Sequence, residues 1–364
     1  MAKNHTESRN NNFGTLHLLA AIFVLYGHQC ALLNQASPQI LGSQIQAVGV
    51  KIIFLISGYL IVKSLLSEEE NTLKTGVIFA VKRLGRLYPE FLFCLIISSI
   101  LIGPIFSVLP LGEYFADGSW WRYILSNMLL YPTYNLSGLF LNNPYVGAVN
   151  GSLWTMPVEV FMYVVILFFG LLFRRSKIRN VIYAFFVSIV LSLFVVRMCY
   201  FPEARYVFYG TDWVAALNII PYILVGGLFY LFDFRKKLNI QFAILLFLFA
   251  GMLKSDLQIV NELVSLLVLP YVVFSLGLAE EQCLRLRILK GEYAYGIYLW
   301  GFVVQQCVIQ ILVVRLGGLH TVGSLFIISM IVTYLIAMFS YEVIYNPCGK
   351  VIRNIVKRIR NNKK

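Results

Sequence analysis

The chain alternates between long apolar runs and short polar connections along most of its length. A helix that crosses a bilayer needs about 20 mostly apolar residues. Runs of about that kind are found at 16–34, 44–66, 87–110, 153–173, 180–200, 212–232, 238–253, 257–279, 292–314 and 321–345. The seventh run is short, and an aromatic stretch near 120–132 is too short to cross, so we expect it at the membrane interface. The pattern predicts an all-α membrane protein with about ten transmembrane helices.

The basic residues give this layout an orientation. If the N-terminus is cytoplasmic, 24 of the 30 lysines and arginines fall in cytoplasmic segments. Cytoplasmic segments of membrane proteins are enriched in these residues. We therefore predict that both termini are cytoplasmic, with a tail at 1–15, an integral-membrane domain at 16–345 and a basic tail at 346–364.

The composition agrees with a membrane protein and excludes a water-soluble globular one. Hydrophobic residues make up 59% of the chain and charged residues only 13%, against about 25% charged residues in soluble domains. A basic cytoplasmic face against anionic membrane lipid accounts for the net charge of +13, so no nucleic-acid partner is expected. The six cysteines lack paired spacing, and no metal site is expected.

Three ionisable residues inside the apolar runs are functional candidates, because such residues are rare in membranes. Counting along the predicted spans places His28, Glu159 and Lys51 at comparable depth in the outer half of the bilayer. A carboxylate bonded to one ring nitrogen would fix the His28 tautomer and support its action as a base. The alternative is a structural pair that holds helices together. Lys51 is close enough to the surface to snorkel, and we favour that interpretation.

The fourth run begins with a polar stripe. Thr155, Glu159 and Tyr163 follow one another at intervals of four residues, which places them on one face of a helix. Ser152 can cap this helix, and Pro157 falls in its first turn, where a missing N–H does no harm.

A second polar group is formed by two arginines and a small-residue pair. Arg83 and Arg86 lie three residues apart in "VKRLGRLYPEF", and arginine forks bind phosphate oxygens bidentately. On charge alone, we favour ordinary anchoring of the two arginines on the cytoplasmic side. In the second run, Ser57 and Gly58 are small enough to permit close helix approach.

Together these segments resemble the acyltransferase type 3 family of multi-spanning membrane acyltransferases. "LLAAIFVLYGH" is similar to the first-span pattern that ends in the family's essential histidine, here His28, and "GVKIIFLISGYLI" is similar to the second-span pattern. "RLGRLYP" matches the arginine–proline signature with Arg83 and Arg86. "GSLWTMPVEVFMY" is similar to the signature that begins Ser-Leu-Trp, here with Trp154, and Glu159 and Tyr163 stand in its diagnostic places. The order and spacing of these segments make the resemblance strong.

Two positions depart from the family pattern. The family usually has an arginine eleven residues before its histidine, and that place is occupied here by His17. A histidine is a cation only when protonated, so the role of that arginine does not transfer directly. The histidine that often follows the family's late tyrosine–tryptophan pattern is Gly301 here.

The resemblance implies transfer of an acyl group, most often acetyl from acetyl-CoA, to a hydroxyl of a surface carbohydrate. The acceptor would be a surface polysaccharide of the O-antigen type or a lipid-linked glycan, and the enzyme would lie in the bacterial inner membrane. Arg83 and Arg86 would bind the phosphates of acyl-CoA, His28 would be the general base, and Glu159 would orient it. The sugar, the hydroxyl and the oligomeric state are left open.

Two other interpretations remain at this point. A transporter or flippase would also have about ten spans, but matched broken helices in two halves are its usual sign, and no such symmetry is found. Within acyltransferases, the donor could be another acyl-CoA such as succinyl-CoA, and the acceptor a lipid or peptidoglycan.

Overall fold

The structure, a computed structural model, describes residues 11–68, 72–253, 255–278, 291–318 and 321–361. Its helices are α1 (Phe13–Leu32), α2 (Ile45–Leu66), α3 (Thr72–Ile97), α4 (Gly103–Phe106), α5 (Leu111–Ala116), α6 (Ser119–Met128), α7 (Thr155–Phe173), α8 (Arg179–Tyr200), α9 (Trp213–Ala216), α10 (Ile220–Leu231), α11 (Ile240–Met252), α12 (Gln258–Gly277), α13 (Ala294–Ile309), α14 (Val322–Ser340) and α15 (Asn346–Asn361). Short 3₁₀ turns occur at Gly151–Trp154, Phe234–Lys237 and Gly291–Tyr293. Turns of π-helix occur at Ser98–Ile102, Gln310–Arg315 and Tyr341–Tyr345. Two small antiparallel hairpins are formed by β1 (Gln39–Ile40) with β2 (Ser43–Gln44) and by β3 (Val207–Phe208) with β4 (Thr211–Asp212).

The helices confirm the predicted all-α membrane architecture. Within the described part of the chain, nine helical stretches are long and apolar enough to cross a membrane. The shorter apolar helix α11, with 13 residues, coincides with the short seventh run. The aromatic stretch predicted to lie at the interface forms α6, which is separate from these stretches. The cytoplasmic placement of both termini stays a prediction.

The third span begins earlier than the sequence predicted. Its apolar run starts at residue 87, but α3 begins at Thr72 and continues through a π turn and α4 to Phe106. Lysines and arginines interrupt the apolar pattern in the first four turns of α3 without interrupting the helix, because both are good helix formers. Arg83 and Arg86 therefore lie within a long helix, several turns from its start.

Small residues bring α2 and α10 into close contact. A Cβ atom built on Gly58 would lie 1.8 Å from the carbonyl oxygen of Ile223, and one built on Gly226 would lie 2.1 Å from that of Leu55. Glycine at a helix interface allows two backbones to approach in this way. The prediction that Ser57 and Gly58 permit close helix approach is confirmed for Gly58.

We call one end of the bundle the basic end, defined by residues 63–68, 72–82, 174–179, 235–237 and α15. Hydrogen bonds join its parts: Arg174 donates to the Thr75 hydroxyl at 2.5 Å, and Asn180 donates to the Leu231 carbonyl at 2.8 Å. The opposite end, the loop end, carries both hairpins and residues 107–150. There Asn34 donates to the Pro144 carbonyl at 3.2 Å.

The basic tail predicted at 346–364 forms α15, and residues 362–364 lie outside the described residues. Arg360 Nη2 lies 2.7 Å from Oε2 and 2.9 Å from Oε1 of Glu68, which also accepts from Lys82. Burial alone would raise the pKa of Glu68, but the hydrogen bonds from Lys82 and Arg360 outweigh it and lower that pKa. The C-terminal helix is thus docked on the connection between α2 and α3.

Residues 1–10 of the predicted N-terminal tail lie outside the described residues. The same holds for the basic segment with Arg285, Arg287 and Lys290 that contributed to the orientation.

Candidate functional site

A cavity of about 240 Å³ opens between α1, α2, α3, α7 and α13, with its polar wall toward the basic end. The polar residues that line it include Thr155, Glu292, Tyr295, Tyr298, Tyr341 and Tyr345. Six further polar side chains come from α1, α2, α3 and α7: His17, Ser57, Arg86, Glu90, Glu159 and Tyr163. Five of these six were candidates from the sequence, and Glu90 was not. The structure therefore brings His17, in the place of the family arginine, beside Arg86 and Glu159. We call this space the basic-end cavity.

The carboxyl group of Glu159 is held in place from its own helix. The Tyr163 hydroxyl, one turn further along α7, donates a hydrogen bond to Glu159 Oε1. The positive charges of Arg86 and Arg83 act on the same carboxyl group. The predicted stripe on one face of this helix is confirmed for this pair, and it faces a cationic cluster.

The two arginines of α3 have different surroundings. Arg86 is exposed and lines the basic-end cavity. Arg83 is buried, donates to the Leu60 carbonyl at 2.9 Å and lies 5.8 Å from the centre of the Tyr163 ring. Residues three apart on a helix project about 60° apart, which is enough to send one side chain into the cavity and the other between helices. Phosphate binding by both residues stays a prediction, and Arg86 is the better placed of the two.

Two hydroxyl groups line the cavity near the start of α7. The Thr155 hydroxyl lies 2.6 Å from the Tyr298 hydroxyl, and both lie within reach of the Ser152 carbonyl, at 3.0 and 3.3 Å. One hydroxyl can donate to the other while the second donates to the carbonyl, so all three groups are satisfied. This cluster ties α7 to α13, and both side chains line the basic-end cavity. We call it the hydroxyl bridge.

A second cavity, of about 520 Å³, lies at the loop end. Its lining residues are mainly aromatic or small: Tyr134, Asn135, Pro144, Tyr145, Val146, Ala148, Gly151 and Trp154. Trp154 and Thr155 are neighbours in sequence but line different cavities. The two spaces therefore approach each other from opposite ends of the bundle at the start of α7. We call the second space the loop-end cavity.

His28 lies beside the loop-end cavity. Its ring makes an edge contact with the Phe302 ring at 5.3 Å between centroids, and Phe302 in turn contacts the Tyr145 ring at 6.2 Å. A Cβ built on Gly151 would lie 2.6 Å from the Phe302 ring. The histidine thus belongs to the layer of Gly151 and Phe302, one turn of α13 beyond Tyr298.

The predicted pair of His28 and Glu159 does not form, and that expectation was wrong. Within the described residues, no hydrogen bond or ion pair joins the two side chains; Glu159 faces Tyr163 and the arginines, and His28 faces Phe302. The predicted depth of Glu159 assumes that the apolar run starts at the membrane surface. Asn150 and Ser152 are in fact 1% and 2% exposed. Since α7 starts beneath the loop-end residues, Glu159 lies about two turns deeper than the layer of His28.

The expectation that Lys51 snorkels to the surface was also wrong. Lys51 is 2% exposed, and its Nζ lies 2.8 and 2.9 Å from the two carboxylate oxygens of Glu262 on α12. A third donor of the same ammonium reaches the Ser43 hydroxyl at 2.8 Å, and the ring of Tyr222 lies 5.3 Å away. A buried lysine with all three donors used needs no solvent.

Three residues of these clusters were missed by the sequence reasoning. Glu90 follows Arg86 by four residues, which places it on the same face of α3. Glu262 is a lone carboxylate in the eighth apolar run and is as unusual there as Glu159 is in the fourth. Both signals were present in the sequence. Tyr298 lies in the late tyrosine–tryptophan pattern "YAYGIYLW", so a signal for it was present in the resemblance.

Residues 12–338 of the chain match the model of a family described as an acyltransferase domain. An O-acetyl transferase of Shigella phage Sf6 is 28% identical over 326 residues, which cover 84% of this chain and 87% of the phage protein. The O-acetyltransferase OatA of Staphylococcus aureus (strain NCTC 8325 / PS 47) is 26% identical over 336 residues, covering 83% of this chain but 52% of OatA, so the matched region spans about half of that relative. Nodulation protein 10 of Rhizobium leguminosarum bv. viciae is 23% identical over 97% of both chains. No solved structure matches.

Proposed function

Because the chain belongs to the acyltransferase family whose domain its residues 12–338 match, we propose that it transfers an acetyl group from acetyl-CoA to a hydroxyl group of a surface carbohydrate. Family membership confirms the resemblance found in the motifs and makes the chain a membrane acyltransferase, which sets the transporter interpretation aside. The donor, the acceptor and the sides on which they bind are the proposed part. We also propose the bacterial plasma membrane as its location, since the matched relatives come from bacteria and a bacteriophage.

One observation supports this proposal above the others: two cavities of different chemistry are lined by neighbouring residues at the start of α7, Trp154 in the loop-end cavity and Thr155 in the basic-end cavity. The basic-end cavity has an exposed arginine at its wall and lies beneath a cationic surface. Acetyl-CoA is anionic at its nucleotide end, so it would bind there with its phosphates near Arg86. Its thioester would extend toward the hydroxyl bridge.

The loop-end cavity has the chemistry of a carbohydrate site. Tyr134, Tyr145 and Trp154 offer ring faces, and Asn135 offers an amide, while none of the eight residues that line it is charged. Flat aromatic surfaces pack against the C–H faces of a sugar, and the amide can hydrogen-bond its hydroxyls. An uncharged pyranose unit is therefore the acceptor that fits best.

His28 would act on the acceptor and not on the donor's phosphates, which is supported by the contact of its ring with Phe302, itself in contact with Tyr145 of the loop-end cavity. In the proposed reaction, the acceptor oxygen bonds to the thioester carbonyl carbon, the carbon–sulfur bond breaks, and His28 takes the hydroxyl proton. That proton then passes to the departing sulfur, which leaves as the CoA thiol. Glu159 would interact electrostatically with Arg83 and Arg86. We therefore propose that it helps to position the arginines of the donor cavity, instead of orienting His28 as the sequence suggested.

The test supplies isotopically labelled acetyl-CoA to inverted membrane vesicles that carry the protein and its host glycan. We expect ester-linked label on the glycan with the wild-type chain and none with His28→Ala at equal protein amounts. Label that appears only with another acyl-CoA would refute the acetyl donor. Label on lipid or peptidoglycan would refute the carbohydrate acceptor, and full labelling by His28→Ala would refute the base.

A further inference from the structure

Gln305 of α13 is hydrogen-bonded to the turn of α1 that carries His28. Its Nε2 donates to the Leu25 carbonyl at 2.7 Å and to Gln29 Oε1 at 3.0 Å. The chemistry of the partners sets the direction of these bonds, because a backbone carbonyl can only accept and the amide nitrogen must therefore face it. Gln305 and Gln29 are both fully buried. Two hydrogen bonds from one buried amide thus fix the turn 25–29, which has His28 inside it.

The same side of α13 also contacts the ring of His28. Phe302 lies three residues before Gln305, which makes the two neighbours on the helix surface, and its ring centroid is 5.3 Å from that of His28. A Cβ atom built on Gly301 would lie 2.5 Å from Leu25 Cδ1, so the absence of a side chain there lets α1 approach. One helix therefore holds the backbone of the turn by hydrogen bonds and the imidazole ring by packing.

Gln306, the next residue of α13, holds the segment that lines the loop-end cavity. Its Nε2 donates to the Tyr145 carbonyl at 3.0 Å and to the Ala148 carbonyl at 2.8 Å, and both of these residues line that cavity. Asn143 donates in turn to the Gln306 side-chain oxygen at 2.8 Å. Consecutive residues of a helix point about 100° apart, so α13 binds the turn of His28 on one side and the cavity wall on another. Two neighbouring residues thus relate the position of the base to that of the proposed acceptor site.

Stability alone does not explain the contact made by Gln305. Among the described residues, Gln305 Oε1 and Gln29 Nε2 have no hydrogen-bond partner, and a buried polar atom without a partner destabilises the folded state. Apolar side chains at both positions would join α1 to α13 without that loss. What the amide adds is direction, because a hydrogen bond is restricted in both distance and angle. Narrow placement at some cost in stability is expected where a neighbouring side chain must be positioned for a reaction.

We propose that Gln305 is a positioning residue, which holds His28 at the distance from the acceptor hydroxyl that proton transfer requires. This assignment rests on the proposed function, in which His28 takes the proton of a hydroxyl group bound at the loop-end cavity. A general base must lie within hydrogen-bond reach of the group that it deprotonates, and a displacement of about 1 Å can lower a rate about 100-fold. Gln305 lines neither cavity, so its loss should lower kcat and leave the KM of both substrates unchanged.

The first test is Gln305→Met, which approximately keeps the volume of the side chain and removes the amide. We expect kcat for acetyl transfer to the glycan to fall by about 10- to 100-fold per folded molecule, with KM for the glycan and KM for acetyl-CoA unchanged. Gln310→Met is the matched control and should leave kcat unchanged, because Gln310 is buried just after α13 and its Oε1 has no hydrogen-bond partner among the described residues. An unchanged kcat for Gln305→Met, or a higher KM for the glycan in place of a lower kcat, would overturn the assignment.

The second test, Gln305→Glu, compares one protein preparation with itself at different pH, so it does not depend on how much of the variant folds. A protonated carboxyl group can donate to the Leu25 carbonyl as the amide does, whereas an ionised one can only accept. The ratio of its kcat to that of the wild type should therefore rise as the pH falls, while the ratio for Gln305→Met stays constant. A ratio for Gln305→Glu that does not change with pH would overturn the positioning role. Absence of transfer by the wild type at every pH would instead refute the proposed function.

Discussion

The buried ion pair of Lys51 and Glu262 allows a quantitative test of the structure. The two residues are 211 positions apart in the chain and join α2 to α12. The perturbation is a set of three variants: Lys51→Met, Glu262→Leu and the two together. These side chains approximately conserve volume, so the charges are what changes.

The contacts of this ion pair determine how much each variant should change the free energy of unfolding. All three donors of the Lys51 ammonium are used, two by Glu262 and one by Ser43, and Lys51 is 2% exposed. Removal of one partner leaves the other charge buried and unpaired, which costs about 3–5 kcal/mol of stability. Removal of both leaves no buried charge, so the double variant should lie within about 1–2 kcal/mol of the wild type. The double-mutant cycle should thus show strong coupling of the two positions.

The assay is unfolding of the purified protein in detergent, with acyl transfer measured per folded molecule. Lys177→Met is the matched control, since that lysine is exposed at the basic end and should change stability by less than about 0.5 kcal/mol. If Lys51→Met costs no more than the control, the ion pair is not formed as described. If the double variant is stable but inactive, the pair has a role in function as well as in stability.

Three further predictions concern other contacts. The pKa of Glu68 is lowered, so its ion pairs are complete above the ordinary carboxyl pKa and are lost as pH falls through the lowered pKa. Hydrogen exchange of the α15 amides, corrected for intrinsic rates, should therefore become faster as the pH falls through that value. Glu68→Gln cannot pair with Arg360 and should show this faster exchange already at neutral pH. Gly58→Ala should destabilise the protein by at least about 1–3 kcal/mol in thermal unfolding, because the new Cβ atom would collide with a carbonyl oxygen of α10. Gly251→Ala is the control and should leave stability unchanged, because a Cβ atom there meets no other atom within 4 Å. Gln306→Leu removes hydrogen bonds of 3.0 and 2.8 Å to two loop-end carbonyls, so it should raise KM for the glycan and leave KM for acetyl-CoA unchanged.

The helices were predictable because the apolar runs are long, and run length alone determines whether a helix can span a bilayer. The start of α3 was missed because its first turns are amphipathic. Lysine and arginine interrupt an apolar run at positions such as 82 and 83, but they do not interrupt a helix. The extent of a helix and the extent of its apolar part are different quantities, and only the second is read directly from hydropathy.

The residues that line the basic-end cavity were predictable in part. His17, Arg86, Glu159 and Tyr163 were all selected as unusual polar residues or motif positions, and the structure places all four on one cavity. Their pairing was not predictable. The depth of Glu159 depends on how far the loop-end residues cover the start of α7, which is a tertiary property that run boundaries do not contain.

The partner of Lys51 lies 211 residues away, so no local pattern could identify it. What the sequence did contain was a second unusual charge, Glu262, in the eighth run. Two lone opposite charges in different spans are a reason to test them as a pair before either is assigned to the surface.

The separation of His28 from the cationic cluster has a chemical reason under the proposed function. His17 and His28 are on the same helix, and at 1.5 Å per residue they lie about 16 Å apart. A site for a small free acyl donor would need its anion-binding groups and its base close together. A thioester on a long arm needs the opposite, because its phosphates must stay at the basic end while its carbonyl reaches the acceptor. Thr155 and Tyr298 lie between these levels, so the thioester carbonyl would pass these two hydroxyl groups to reach an acceptor in the loop-end cavity.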